Sequence, residues 1–267
     1  MSSMDEWHGR LAGCRKDWFE ISMDAIISAE SMDRGGSRPF HASADNGETY
    51  WVKQIENLQS SRVPVTEQII AGCGQLIGAP VRPCSLMLIP SDFDGDMLMN
   101  GTVLRTGIAH ASLHLDKGFF NKTWGPENRN LDDNRKRHAA YFAFFDWCWG
   151  DDRQWLYDTA ADMMTWSHDH GHFLPGGPDW STTMLQAEVN AVHPLDTSPE
   201  GLDYNELERV AGVLENMQPE HLVEVLCRIP TSWQVSDQEL EAVGWFLDCR
   251  RLPVATRRRQ LAATLAG

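Results

Sequence analysis

The chain has 267 residues, enough for one large domain or two lobes around a buried core. Hydrophobic side chains make up 42% and charged ones 23%, the balance of a globular protein, but 38 acidic against 23 basic residues leave a net charge of −15. So acidic a surface repels phosphate backbones and anionic headgroups, which argues against nucleic acid or a membrane as partner.

The first 25 residues read as an extension. MSSMDEWHGR contains no apolar stretch of secretory length, so no signal peptide is expected. Six cysteines (Cys14, Cys73, Cys84, Cys148, Cys227 and Cys249) are scattered without a C-x-x-C pair. In a chain of this size that spacing predicts reduced thiols and a cytoplasmic location.

Residues 26–98 read as a β-rich unit with one helix. A strand around AIISAE leads into the glycine turn DRGGSRP, 33–39. FHASA (40–44) and ETYWVK (48–53) alternate as strands around Asp45-Asn46-Gly47, a strong hairpin signal. VTEQIIAGCGQLIG carries apolar residues at 69, 70, 73, 76 and 77, one face of a helix that Gly78 and Pro80 stop. SLMLIP (85–90) reads as a further strand, and SDFDGDMLMNG as a loop whose D-x-D-G-D lacks the remaining ligands of a calcium-binding EF-hand.

Residues 99–267 read as mostly helical. HASLH, 110–114, puts two histidines four apart, as on one face of a helical turn. A helix is expected over 131–147, followed by the acidic loop GDDRQWLYD and by MMTWS, a strand entering the turn HDHGH. ELERVAGVLENM, HLVEVLCRI and DQELEAVGWFLDCRR are helical by pattern. The expected class is therefore α+β: a two-lobed, protein-kinase-like fold with a small β-rich lobe and a larger helical one.

Phosphoryl transfer from ATP needs a glycine turn over the phosphates, a lysine on a strand, an aspartate at the nucleophile and another on magnesium. The chain supplies them in that order. Arg34-Gly35-Gly36-Ser37 forms the turn, where glycines let backbone N–H groups approach an anion. Lys53 ends the strand YWVK, and Glu67 on the next helix is placed to hold it. Asp151 and Asp152 lie in the acidic loop, and Asp169 precedes His170-Gly171. Singly, each piece has an ordinary explanation: a strand end reaching solvent, or a solvated helix end.

Together these segments resemble HipA-like kinases. GGSRPFHASADNGETYWVK with the following TEQIIAGCGQLIGAPV resembles that family's N-terminal lobe. FDWCWGDDRQWLYD resembles its catalytic loop, TWSHDHGHFLPGGPDW its Asp-x-Gly segment, and CRIPTSWQVSDQELEAVGWFLDCRR its C-terminal pattern. The similarity is collinear from about residue 26 to 257. It implies an ATP- and Mg²⁺-dependent serine/threonine kinase acting on an unknown protein or small-molecule acceptor. Lys53 and the turn Arg34–Ser37 would contact the ATP phosphates, with Glu67 as the lysine's partner. Asp152 would be catalytic and Asp169 the Mg²⁺ ligand. Ser37 matches a position that is a regulatory phosphoserine in some relatives.

The chain departs from the pattern where a magnesium-binding asparagine is expected, since Tyr157 stands there. Gln154 or Asp158 is the alternative oxygen donor. Gly150 replaces a loop asparagine, and the Asp-x-Gly carries His170. The alternative reading is an ATP-binding pseudokinase or interaction module instead of an active kinase. A third reading joins HASLH with HDHGH in a zinc or iron hydrolase site, but it leaves YWVK and its glycine turn without a role. On the kinase reading, His168, His170 and His172 frame Asp169 without binding metal, and Lys53 serves nucleotide use more than folding.

Overall fold

The computed structural model describes residues 3–31, 36–121, 128–152 and 154–267, with only the backbone of residues 18, 120 and 121. Arg34, Gly35 and Arg153 lie outside the described residues. Five strands, β1 (Asp24–Glu30), β2 (Phe40–Ala44), β3 (Thr49–Gln54), β4 (Cys84–Ile89) and β5 (Gly107–Leu113), close into a barrel in the order β1-β2-β3-β5-β4. Closure comes from a short parallel pairing of Asp24 with Met87 and Ala25 with Leu88.

Alternation along these strands buries Phe40, Ala42, Ala44, Val52, Met87, Ile89, Ala109 and Ala111 in one small apolar cluster. The β2–β3 turn is the expected one: Gly47 takes φ +86° and the Asn46 side chain accepts the Glu48 N–H at 2.9 Å. Helix α1 (Arg62–Ile77) crosses beside the barrel and ends on Gly78, whose φ of +68° lets its N–H reach back to the last turn.

The barrel continues past residue 98, because β5 pairs with both β3 and β4. This corrects the helical reading of HASLH: His110 lies within β5 and His114 just after it. A second sheet, β6 (Gly118–Asn121), β7 (Trp155–Asp158) and β8 (Met164–Ser167), follows, with α2 (Asn134–Cys148) between its first two strands. The segment WLYD, expected as loop, is therefore a strand leaving the acidic loop directly.

The helices α3 (Thr182–Glu188), α4 (Tyr204–Asn216), α5 (Pro219–Leu226) and α6 (Asp237–Ala266) complete the fold. They share a second, larger core with α1 and α2. Buried Asp146 on α2 ties this core together. It accepts from Arg257 at 2.9 and 2.8 Å and from Arg258 at 3.1 Å, both on α6. Such a buried charge is tolerable only because it is multiply paired.

The N-terminal extension packs on the same helices. Trp7 sits against Gly244, where a Cβ would come within 2.2 Å of the indole. Arg15 donates to the carbonyls of Ile229, Pro230 and Val235. Here the cysteine expectation is corrected, since Cys14 and Cys227 form a disulfide with Cα atoms 5.5 Å apart. Their separation of 213 residues hid the pair, and the bond removes the cysteine argument for a reducing compartment. Among the described residues, no helix is long and apolar enough to cross a membrane.

Candidate active site

The site forms where the outer face of β3 and β5 meets α1, the loop before β7 and the turn after β8. Tyr50 and Val52 point into the barrel, so Trp51 and Lys53 face outward over the meeting point. They line a cleft of about 590 Å³ together with Gly36, Ser37, Glu67, Asp152, Gln154 and Asp169.

Lys53 is 7% exposed and bridges two carboxylates, Glu67 at 2.5 Å and Asp169. Glu67 also accepts the backbone N–H groups of His170 at 2.9 Å and Gly171 at 3.2 Å. One helix carboxylate thus fixes both the strand lysine and the turn that carries Asp169. Gly171 allows the approach, for a Cβ there would lie 2.8 Å from Val63 Cγ1 on α1. Asp169 itself takes φ +57°, which turns its carboxylate into the cleft, with about 31% of the side chain exposed.

Burial works against every charge in this group, and mutual attraction overrides it. For Lys53, burial would lower the pKa, but Asp169 and Glu67 hold it well above the usual lysine value. Burial would raise the carboxyls of Glu67 and Asp169, yet the ammonium of Lys53 holds both low. All three are ionised at neutral pH.

Asp152 lines the cleft from the opposite wall, with φ +46°. Its neighbour Asp151 is turned away to His193, 3.3 Å from Nε2. Gln154 donates its amide N–H to Asp152 at 2.9 Å, and among the described residues its Oε1 has no partner. That leaves a neutral oxygen next to the aspartate for a cation. Tyr157 is buried on the core side of β7. Asp158, expected as an alternative donor, is not brought to the site. It lies at the far end of β7 and accepts the Ala160 N–H at 2.8 Å.

The histidines scatter. His170 is buried under the turn, 2.9 Å from Ser167 Oγ and edge-on to Phe144 and Phe173. Burial pushes its pKa down to about 4, as it does for His110, which meets Gln68 at 3.0 Å. His168 and His172 line the cleft. Among the described residues no three His, Cys, Asp or Glu side chains gather into a metal-holding group, so the two histidine motifs do not build the hydrolase site.

A resident three-ligand metal cage therefore does not fit. The hard oxygens of Asp169 and Gln154, both on the cleft wall, suit magnesium brought in on phosphates, which takes few protein ligands and keeps water.

The sequence reading missed Trp51, Arg82, Leu113 and Leu156 on the cleft wall. Trp51 was accessible by counting two residues back from Lys53 along a strand. Arg82 carries no local signal.

No family model and no curated protein matches the sequence. Solved structures do. A Helicobacter pylori proinflammatory kinase, CtkA, aligns with a TM-score of 0.58 at 11% identity, covering 95% of this chain and 99% of that one. A Golgi casein kinase aligns at TM-score 0.49 and 9% identity, covering 98% of this chain and 76% of that one. The likeness to the first shows a kinase-like α+β fold across almost the whole chain.

Proposed function

We propose that this chain is a HipA-like, magnesium-dependent phosphotransferase that moves the terminal phosphoryl group of a nucleoside triphosphate to a serine or threonine hydroxyl. The observation that carries this reading is the bridge Glu67–Lys53–Asp169 facing Asp152 across one cleft. Four residues from four separate segments meet there, in the chemistry that phosphoryl transfer uses.

Lys53 offers a compact cation to the phosphate oxygens, and Glu67 keeps it in place. Gly36 and Ser37 line the same cleft. Asp169 and Gln154 would hold Mg²⁺, which when bound neutralises charge developing on the transferred group. Asp152 accepts the proton of the acceptor hydroxyl as its oxygen bonds to phosphorus and the bond to the leaving diphosphate breaks. The resemblance implies ATP as donor, while the residues named so far address only its phosphates, and the acceptor is a protein.

A specific observation favours a second reading. No amide stands at Tyr157, and the magnesium role falls on Gln154, already tied to Asp152. A pseudokinase that binds nucleotide without transfer would share this cleft.

The test follows terminal-phosphate label from Mg·ATP and Mg·GTP to the chain itself, to general protein acceptors and to water. Asp152→Asn is expected to bind nucleotide like the parent and transfer less by about 10²-fold or more. A parent that binds but never transfers supports the pseudokinase. A parent that binds no nucleotide removes both readings.

A further inference from the structure

We propose that the far end of this cleft reads a purine by its 6-oxo edge, so that guanine and hypoxanthine triphosphates are preferred to adenine; the inference rests on the phosphotransferase reading above. Two walls of the cleft turn apolar beyond the polar group around Lys53. On β3, Trp51 follows on the same face about 7 Å along. On the facing wall, Leu156 of β7 lies two residues beyond Gln154 and pairs with Trp166 of β8. On the third side the cleft reaches the end of β5 at Leu113, whose side chain turns with that of Tyr50 into the barrel. With phosphates at Lys53, the apolar slot between Trp51 and Leu156 is left for the base. Trp51 is held by His41, edge-on with ring centroids 5.5 Å apart, and by His114, tilted at 6.0 Å.

The slot is sealed by Arg82, a buried cation lying over the Trp166 ring. Its Nε and Nη2 donate to Leu113 O at 3.1 and 2.9 Å, and Nη2 also donates to His114 O at 2.8 Å. The N–H groups there are engaged as well, Leu113 to Pro83 O at 2.8 Å and His114 to Thr49 O at 2.9 Å. The strand end therefore presents a base with main-chain groups already in use. Among the described residues Nη1 of Arg82 has no partner, and it is a donor only.

A 6-amino group needs an acceptor and would face this donor instead. A 6-oxo purine offers two acceptors, O6 and N7, the edge that arginine recognises on guanine. Donor against donor disfavours adenine, and donor against acceptor favours guanine.

Calorimetric titration of the full chain in excess Mg²⁺ with GTP, ITP, ATP and tripolyphosphate tests this. GTP and ITP are expected to bind alike and at least about fivefold tighter than ATP, with tripolyphosphate weakest. ITP lacks the 2-amino group, so its agreement with GTP assigns the preference to the 6-oxo edge. In Arg82→Lys the GTP-to-ATP ratio is expected to fall towards one; any affinity loss shared by both nucleotides cancels in the ratio.

ATP binding as tightly as GTP, or tighter, overturns the base assignment and leaves the phosphate site standing. A GTP preference that survives Arg82→Lys unchanged overturns the role of Arg82. Failure of all three nucleotides and of tripolyphosphate to bind overturns the phosphotransferase reading together with the inference.

Discussion

Replacing Lys53 by methionine probes how the cleft is held as well as what it does. The sequence suggested a lysine serving nucleotides more than folding, but its side chain is buried between two carboxylates. Methionine fills the aliphatic volume and leaves both anions without their cation. Asp169, with about 31% of its side chain exposed, is able to take water instead, whereas Glu67, at 4%, has little access to it. Breaking a buried pair from one side costs about 3–5 kcal/mol, and here most of that falls on Glu67.

Adding Glu67→Gln removes the stranded charge and is expected to recover about 1–3 kcal/mol. The pH dependence has a definite sign. Without Lys53, burial raises the folded pKa of Glu67 above its unfolded value, so the folded variant takes up a proton that the unfolded chain does not. Its deficit relative to the parent should therefore narrow as pH falls from about 7 to about 5. Urea unfolding of parent, single and double variants, followed by tryptophan fluorescence, measures all three quantities. A single variant within about 0.5 kcal/mol of the parent, or a double variant less stable than the single, refutes the reasoning.

His110 and His138 are buried neutral, with burial lowering their pKa values from 6.5 to about 4 and about 3. Their depressed folded values mean stability is present above pH 6.5 and is lost as pH falls towards 4, about 2 kcal/mol per histidine between pH 7 and 5. A parent unfolding free energy that is flat over that range contradicts this. Cys14→Ser opens a link spanning 213 residues and is expected to cost about 3–5 kcal/mol, visible as a lower melting temperature; no change on substitution or on reduction of the parent speaks against the bond. Gln154→Ala should raise the Mg²⁺ concentration for half-maximal transfer while sparing nucleotide binding, and an unchanged magnesium curve removes Gln154 from the metal site.

Elements set by local rules were legible in the sequence. The β2–β3 hairpin was, because alternation and Asp-Asn-Gly agree, and so was the end of α1, because Gly78 takes a left-handed conformation. What was misread depends on distant partners. HASLH has two histidines at a spacing that suits a helix, yet β3 and β4 recruit it as a strand between them. β6 and β7 are four residues each and pair across α2, so neither carries a periodic signal of its own.

The site divides the same way. Lys53, Glu67, Asp152 and Asp169 were legible through the order of their motifs, although 116 residues separate Lys53 from Asp169. The disulfide and the seal made by Arg82 were not, because each exists only where separate segments have already packed.

The cleft is tested most directly by a crystal structure of the chain with Mg²⁺ and a non-hydrolysable guanosine triphosphate analogue. The predicted result has phosphates against Lys53 and the Gly36–Ser37 turn, magnesium on Asp169, Asp152 facing the terminal phosphate and the base against Trp51. An analogue bound elsewhere at full occupancy, with the cleft between Lys53 and Asp152 empty, would contradict it.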